Sequence, residues 1–116
     1  MFYPPMAGYL LVTTVSVFLI FAQRRKVIGR NSAIGIRTRH TLASDAAWEA
    51  GHRAGVPCLY AMAVISTGHA VALFGAEISN ATTVGHILSV LGWVLILICA
   101  VLTGKAANRA ARSVGP

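Results

Sequence analysis

A chain of 116 residues, 56% of them hydrophobic and 11% charged, with a mean hydropathy of +0.69, is too apolar for a soluble globule of its size, which would keep much of its surface wet. The formal net charge of +7 would suit nucleic acid, but Lys and Arg are absent before Arg24 and between Arg53 and Lys105. The bases therefore flank apolar runs and act as topology determinants, which excludes a nucleic-acid partner.

The expected fold class is all-α: one integral membrane domain over 1–116, with three transmembrane helices and a cytoplasmic loop that carries a short amphipathic helix. The chain opens without a positive n-region, and Ala22-Gln23-Arg24 is a poor cleavage site, so the first apolar run is expected to stay as a span. Phe2, Tyr3 and Tyr9 suit an interfacial belt, and Pro4 and Pro5 stand where a helix tolerates proline. Span 5–22 is apolar except for Thr13, Thr14 and Ser16, whose hydroxyls can bond to the helix's own carbonyls. At about 1.5 Å per residue it just crosses a hydrocarbon core of about 30 Å. Gln23-Arg24-Arg25-Lys26 stops it.

The loop 23–54 is the only long polar segment, and its stretch 24–53 holds seven of the ten basic residues and two of the three acids. Residues 27–41 lack a helical period, which predicts an ordered loop on the membrane surface. Ser44 is a credible N-cap for a short helix through Ala46, Ala47, Trp48 and Glu49, with Asp45 at its positive end. Glu49 and Arg53 stand four apart in the better order for an ion pair, and Trp48 and His52 share a neighbouring face. Gly51, Gly55 and Pro57 are expected to loosen or bend the chain before the next span.

Span 55–76 carries Ser66, Thr67 and His69, and the short connection 77–82 makes the next span antiparallel to it. Span 83–103 carries His86, Trp93 and Cys99. Small residues Gly85, Ser89 and Gly92 on one side of it, and Gly68, Ala72 and Ala76 on its neighbour, predict a tight hairpin of the second and third spans. In the tail, 104–116, Lys105, Arg109 and Arg112 share a face, so the helix should protrude into water before ending near Gly115. Three crossings put all ten bases on one side. By the positive-inside rule that side is cytoplasmic, giving a multi-pass plasma-membrane protein with its N-terminus outside and its C-terminus inside. Cys58 and Cys99 then lie near a reducing face, as free thiols.

Given that placement, Arg24, Arg25, Lys26 and Arg30 face anionic lipid headgroups, worth about 1 kcal/mol each near the surface. In Gly35-Ile36-Arg37-Thr38 the glycine suggests a tight bend. The guanidinium beside it can clamp a carboxylate or a phosphate, or tie the loop to helix-end carbonyls. Trp48 reads as an interfacial anchor, and Thr41 and Ser44 as turn and cap residues.

Catalysis is not expected. Glu49-x-x-His52 has the spacing of carboxylate-bridged metal pairs, but that chemistry needs the unit twice and further carboxylates, and the chain has three acids. The sequence contains no H-E-x-x-H, phosphate-binding glycine loop, metal-spaced Cys pair or G-x-S-x-G. No catalytic residue, metal or cofactor is assigned. His69, roughly 12 Å inside the membrane from the outer end of its span, is expensive there as an ion. It is expected either to bond in neutral form to Thr13, Thr14 or Ser16, or to form an outer-leaflet polar site with His86 and Glu77 that titrates or receives a ligand.

Asn31, Gly35, Ile36, Arg37, Thr38, Thr41, Leu42, Ser44, Trp48, His52 and Arg53 stand in the spacing N-x-x-x-G-I-R-T-x-x-T-L-x-S-x-x-x-W-x-x-x-H-R, which resembles the signature of the SdpI family. Members look like multi-span bacterial membrane proteins. The best known is an immunity protein that protects its producer from an exported toxin and holds an autorepressor at the membrane. The resemblance implies a membrane-embedded binding protein in short form, without the extra N-terminal membrane region of that immunity protein, and with the signature segment in the cytoplasm. Partner or lipid contacts carry over to Asn31, Gly35, Arg37, Thr38, Thr41, Trp48 and Arg53. The expected function is non-enzymatic toxin immunity or membrane signalling, through a peptide toxin or a cytoplasmic regulator. The alternative is a small accessory subunit of a larger membrane complex, and a homo-oligomer through the Gly85, Ser89 and Gly92 face is a third possibility.

Overall fold

A computed structural model describes residues 1–26, 29 and 34–114. Three helices, α1 (Tyr3–Arg25), α2 (Asp45–Ile78) and α3 (Thr82–Val114), form an elongated bundle of 54 × 22 × 19 Å. Each is long and apolar enough to cross a membrane. α2 lies in the middle, and both α1 and α3 pack against it.

Local chemistry sets the helix ends. Pro4 and Pro5 occupy the first turn of α1, where amide protons have no carbonyl to reach, and the Met6 N–H closes that turn on the Phe2 carbonyl at 3.0 Å. α1 stops at Lys26, whose φ of 53° turns the chain left-handed and directs its N–H to the Gln23 carbonyl at 3.2 Å. α2 starts at the expected cap: the Ser44 hydroxyl accepts the Ala47 N–H at 3.0 Å, with Asp45 in the positive first turn. The α2–α3 hairpin turns through Asn80, at φ 56°, and the Ala81 N–H donates to the Ala76 carbonyl at 2.9 Å.

The separate amphipathic helix expected in the loop is not found. Asp45 begins a helix of 34 residues that continues unbroken through Gly51, Gly55 and Pro57 to Ile78. Pro57 removes only the one N–H that would bond the Arg53 carbonyl, and Gly55 and Leu59 on either side are buried against neighbours that hold the turn. α2 and α3 are each about 50 Å long, while about 30 Å crosses a bilayer core. The apolar part of α2 begins near Gly55, so residues 45–54 of α2 and the last ten or so of α3 form an antiparallel pair beyond the apolar layer. α3 is helical through Val114, and the expected stop near Gly115 lies outside the described residues.

At the hairpin end the core is built from Phe2, Met6, Tyr9, Ala70, Leu73, Ala76 and Ile96. α2 and α3 form the expected hairpin, and here the small residues of α3 make room for side chains from both neighbours. A Cβ on Gly85 would run into the Phe2 ring, and one on Gly92 would lie 2.7 Å from the Tyr9 ring and 2.7 Å from His69 Cδ2. Tyr9 fills the second socket, stacked on Trp93 at 4.7 Å, with its hydroxyl donating to the Ser89 carbonyl at 2.6 Å. Gly85 thus receives Phe2, the residue that caps α1, and Gly92 receives Tyr9 of α1 with His69 of α2 beside it. Gly68, assigned by sequence to the α2–α3 seam, faces open space. Deeper in the span, Thr13 ties α1 to α2 through Ser66 Oγ at 2.8 Å and Thr67 Oγ1 at 3.1 Å. At the other end Leu19, Ile20 and Leu59 continue the core.

Every Lys and Arg among the described residues lies at the end opposite the hairpin: on the end of α1, in the 34–44 segment, on the start of α2 or on the end of α3.

Candidate functional site

The protruding parts of α2 and α3 meet through small residues four apart. Ala47, Gly51 and Gly55 on one helix, and Thr103, Ala107 and Ala111 on the other, are all buried. With so little side chain between them the backbones approach closely and leave a groove into which segment 34–44 folds. The Thr41 methyl fills the space at Gly51, where a Cβ would lie 2.8 Å from it and 3.1 Å from the Ala107 carbonyl oxygen. Ile36 reaches down to Gly55, where a Cβ would come within 3.1 Å of its Cδ1.

Hydrogen bonds then lock the segment. Thr41, fully buried in the 3-10 turn Thr41–Ala43, donates to the Ile36 carbonyl at 2.7 Å and accepts the Thr38 N–H at 2.9 Å. The Thr38 hydroxyl accepts the Thr41 N–H at 3.2 Å and donates to Asn108 Oδ1 of α3. His52 Nε2 accepts the Ile36 N–H at 2.8 Å, and Nδ1 lies 2.8 Å from the Trp48 carbonyl. One nitrogen must accept and the other donate, which assigns a neutral imidazole protonated at Nδ1. Burial pushes the His52 pKa below its ordinary 6.5, the Trp48 carbonyl opposing this only in part.

Gly35 completes the lid. Its φ is +127°, a conformation L side chains avoid, and a Cβ there would lie 2.8 Å from both His52 Nε2 and the Trp48 ring. Trp48 itself is 4% exposed and packs on His52 with ring centroids 4.1 Å apart. The reading of Trp48 as an interfacial anchor is therefore corrected: the indole lies beneath the loop.

Of the residues assigned from sequence to partner or lipid contact, the structure brings Gly35, Thr38, Thr41 and Trp48 together in this lock, with Arg37 exposed above it. Arg53 lies outside it, its side chain 70% exposed and bonded at 3.1 Å to Glu49, the expected ion pair. Lys26 joins the same carboxylate at 3.1 Å. Lys26, with Arg53 beside it, holds the Glu49 carboxyl below the usual range. Asn31 lies outside the described residues.

The polar groups at the other end have separate neighbours. His69 Nδ1 bonds its own helix at the Ile65 carbonyl, 2.8 Å away, instead of a hydroxyl of α1. His86 meets the Phe2 ring edge-on at 5.3 Å. Glu77 accepts from the N-terminal ammonium at 2.6 Å. Among the described residues no three His, Cys, Asp or Glu side chains converge as a metal site would require.

Sequence reasoning missed Asn108, Thr103, Ala107 and Ala111. The period-four run of small residues in α3, matching Ala47, Gly51 and Gly55, is the signal that could have revealed the last three. Beside the lock, His40, Lys105, Asn108, Arg109 and Arg112 line a polar crevice of about 290 Å³.

A model of the SdpI/YfhL protein family matches residues 27–104, from the loop to the end of the third apolar run. No curated protein and no solved structure matches.

Proposed function

The chain belongs to the SdpI/YfhL family, and from that premise we propose that it is a non-enzymatic protein of the bacterial cell membrane that acts by binding, in toxin immunity coupled to signalling. The positive-inside rule supports reading the basic end as cytoplasmic and the hairpin and N-terminus as external. One observation carries the reading. Gly35, Thr38, Thr41, Trp48 and His52 satisfy one another, so the signature makes a fixed cap instead of offering open chemistry. Beside that cap, His40 lines a crevice with Lys105, Arg109 and Arg112, and its three cations suit the acidic face of a cytoplasmic regulator. A toxin would be met at the opposite, hairpin end.

The test is survival. A strain lacking the gene should become sensitive to the secretions of its own producing culture. The wild-type gene should restore survival, and a variant carrying Arg109→Gln and Arg112→Gln should restore survival without signalling to the regulator. Unchanged survival of the deletion strain refutes the immunity reading. A second reading, an accessory subunit, draws on α3, whose apolar window is only 17% buried and offers a long face to a protein neighbour. Copurification in fixed stoichiometry with a larger integral protein in mild detergent would favour it.

A further inference from the structure

Where the end of α1 meets α2, an open cleft of about 680 Å³ lies on the side of α2 away from the lock. Its upper wall is polar: Gln23 and Arg24 from α1, Lys26 just past its end, and Glu49 and Arg53 from α2. Its lower wall continues along α2 as Val56, Pro57 and Tyr60, the last 47% exposed. The cleft thus crosses the boundary at which α2 changes from charged to apolar.

We propose that this cleft binds one anionic phospholipid, its phosphate held by Arg24, Lys26 and Arg53 and an acyl chain lying along Val56, Pro57 and Tyr60. Charge complementarity favours that occupant. Three cations face one carboxylate, and Glu49 already engages Lys26 and Arg53 at 3.1 Å each, so the cleft keeps a net charge of +2. An ammonium has three donors and each guanidinium five, far more than one carboxylate uses, and the guanidinium fork matches phosphate oxygens two at a time. The apolar wall separates a lipid from a free anion: inorganic phosphate gains nothing from Val56 and Tyr60, whereas an acyl chain removes them from contact with headgroups and water. The crevice at His40 and Lys105 has cations but no such wall, so it carries no equivalent selection. The proposal stands apart from the immunity reading.

Native mass spectrometry of the full chain in mild detergent tests it, with phosphatidylglycerol and phosphatidylcholine of identical chains added in turn. Phosphatidylglycerol should be retained at one per chain and phosphatidylcholine not. Retention should fall by about fivefold for each cation removed in Arg24→Gln and Arg53→Gln. Tyr60→Ala should also weaken it, and millimolar inorganic phosphate should not displace the lipid. Should the double variant fail to fold, judged by circular dichroism, Glu49→Gln carries the test: it frees two cations and should raise retention, and no rise overturns the proposal. Equal retention of both lipids overturns it. So does a preference that survives the double variant but disappears with Lys105→Gln, Arg109→Gln and Arg112→Gln, or displacement of the lipid by inorganic phosphate.

Discussion

His52 Nε2 faces a backbone N–H, so a proton placed there would meet a donor and break the contact that holds Ile36. The folded-state pKa lies below the ordinary 6.5, so the undocked loop takes up a proton first as pH falls. The contribution of His52 to docking is therefore complete above pH 6.5 and declines below it toward the lowered folded value. Hydrogen exchange at the Ile36 amide should show strong protection at pH 8 that falls as the pH drops below 6.5, after correction for intrinsic exchange. A pH-independent protection factor would refute the assigned tautomer. Gly35 gives a second prediction. Gly35→Ala adds backbone strain and a 2.8 Å contact with both rings, and should cost about 2 kcal/mol of loop docking. Trp48 fluorescence should shift to the red as the lid lifts; an unshifted spectrum would contradict the buried placement.

The bundle has two sets of sockets on different helices: Gly85 and Gly92 of α3 take Phe2 and Tyr9, and Gly51 and Gly55 of α2 take Thr41 and Ile36 of the loop. Gly92→Ala places a methyl group between Tyr9 and His69, which are held by a stack on Trp93 and by helix hydrogen bonds. It should lower unfolding stability in detergent by about 1–3 kcal/mol. Gly68→Ala is the matched control, since nothing lies within 4 Å of its added carbon. Helix propensity alone makes that change neutral or up to about 1 kcal/mol stabilising. If the two alanines behave alike, the socket account fails. The same geometry bears on self-association: within the chain the Gly85 and Gly92 side of α3 is occupied by Phe2 and Tyr9.

For the molecule as a whole, the separation of charge makes the proposed orientation testable. With Cys58 and Cys99 replaced by Ser, a membrane-impermeant maleimide on intact cells should label Thr82→Cys at the hairpin and spare Ser113→Cys until the cells are opened. Both are exposed positions, so access and not burial decides the result. The reverse pattern would invert the molecule and move the proposed regulator crevice outside the cell.

The amino-acid sequence by itself determined the three apolar runs, the confinement of the bases to one end, the Ser44 cap, the Glu49–Arg53 pair and the family signature. These depend on partition between water and hydrocarbon or on residues within one helical turn, and both are written locally. Tertiary structure alone decided that α2 runs through Pro57, that Trp48 is covered, that α3 glycines receive Phe2 and Tyr9, and that Thr38 finds Asn108 seventy residues away. In each of these cases the partner comes from a distant segment. A glycine marks only that space is needed, and the helix that arrives to use it is set by the packing of the whole bundle.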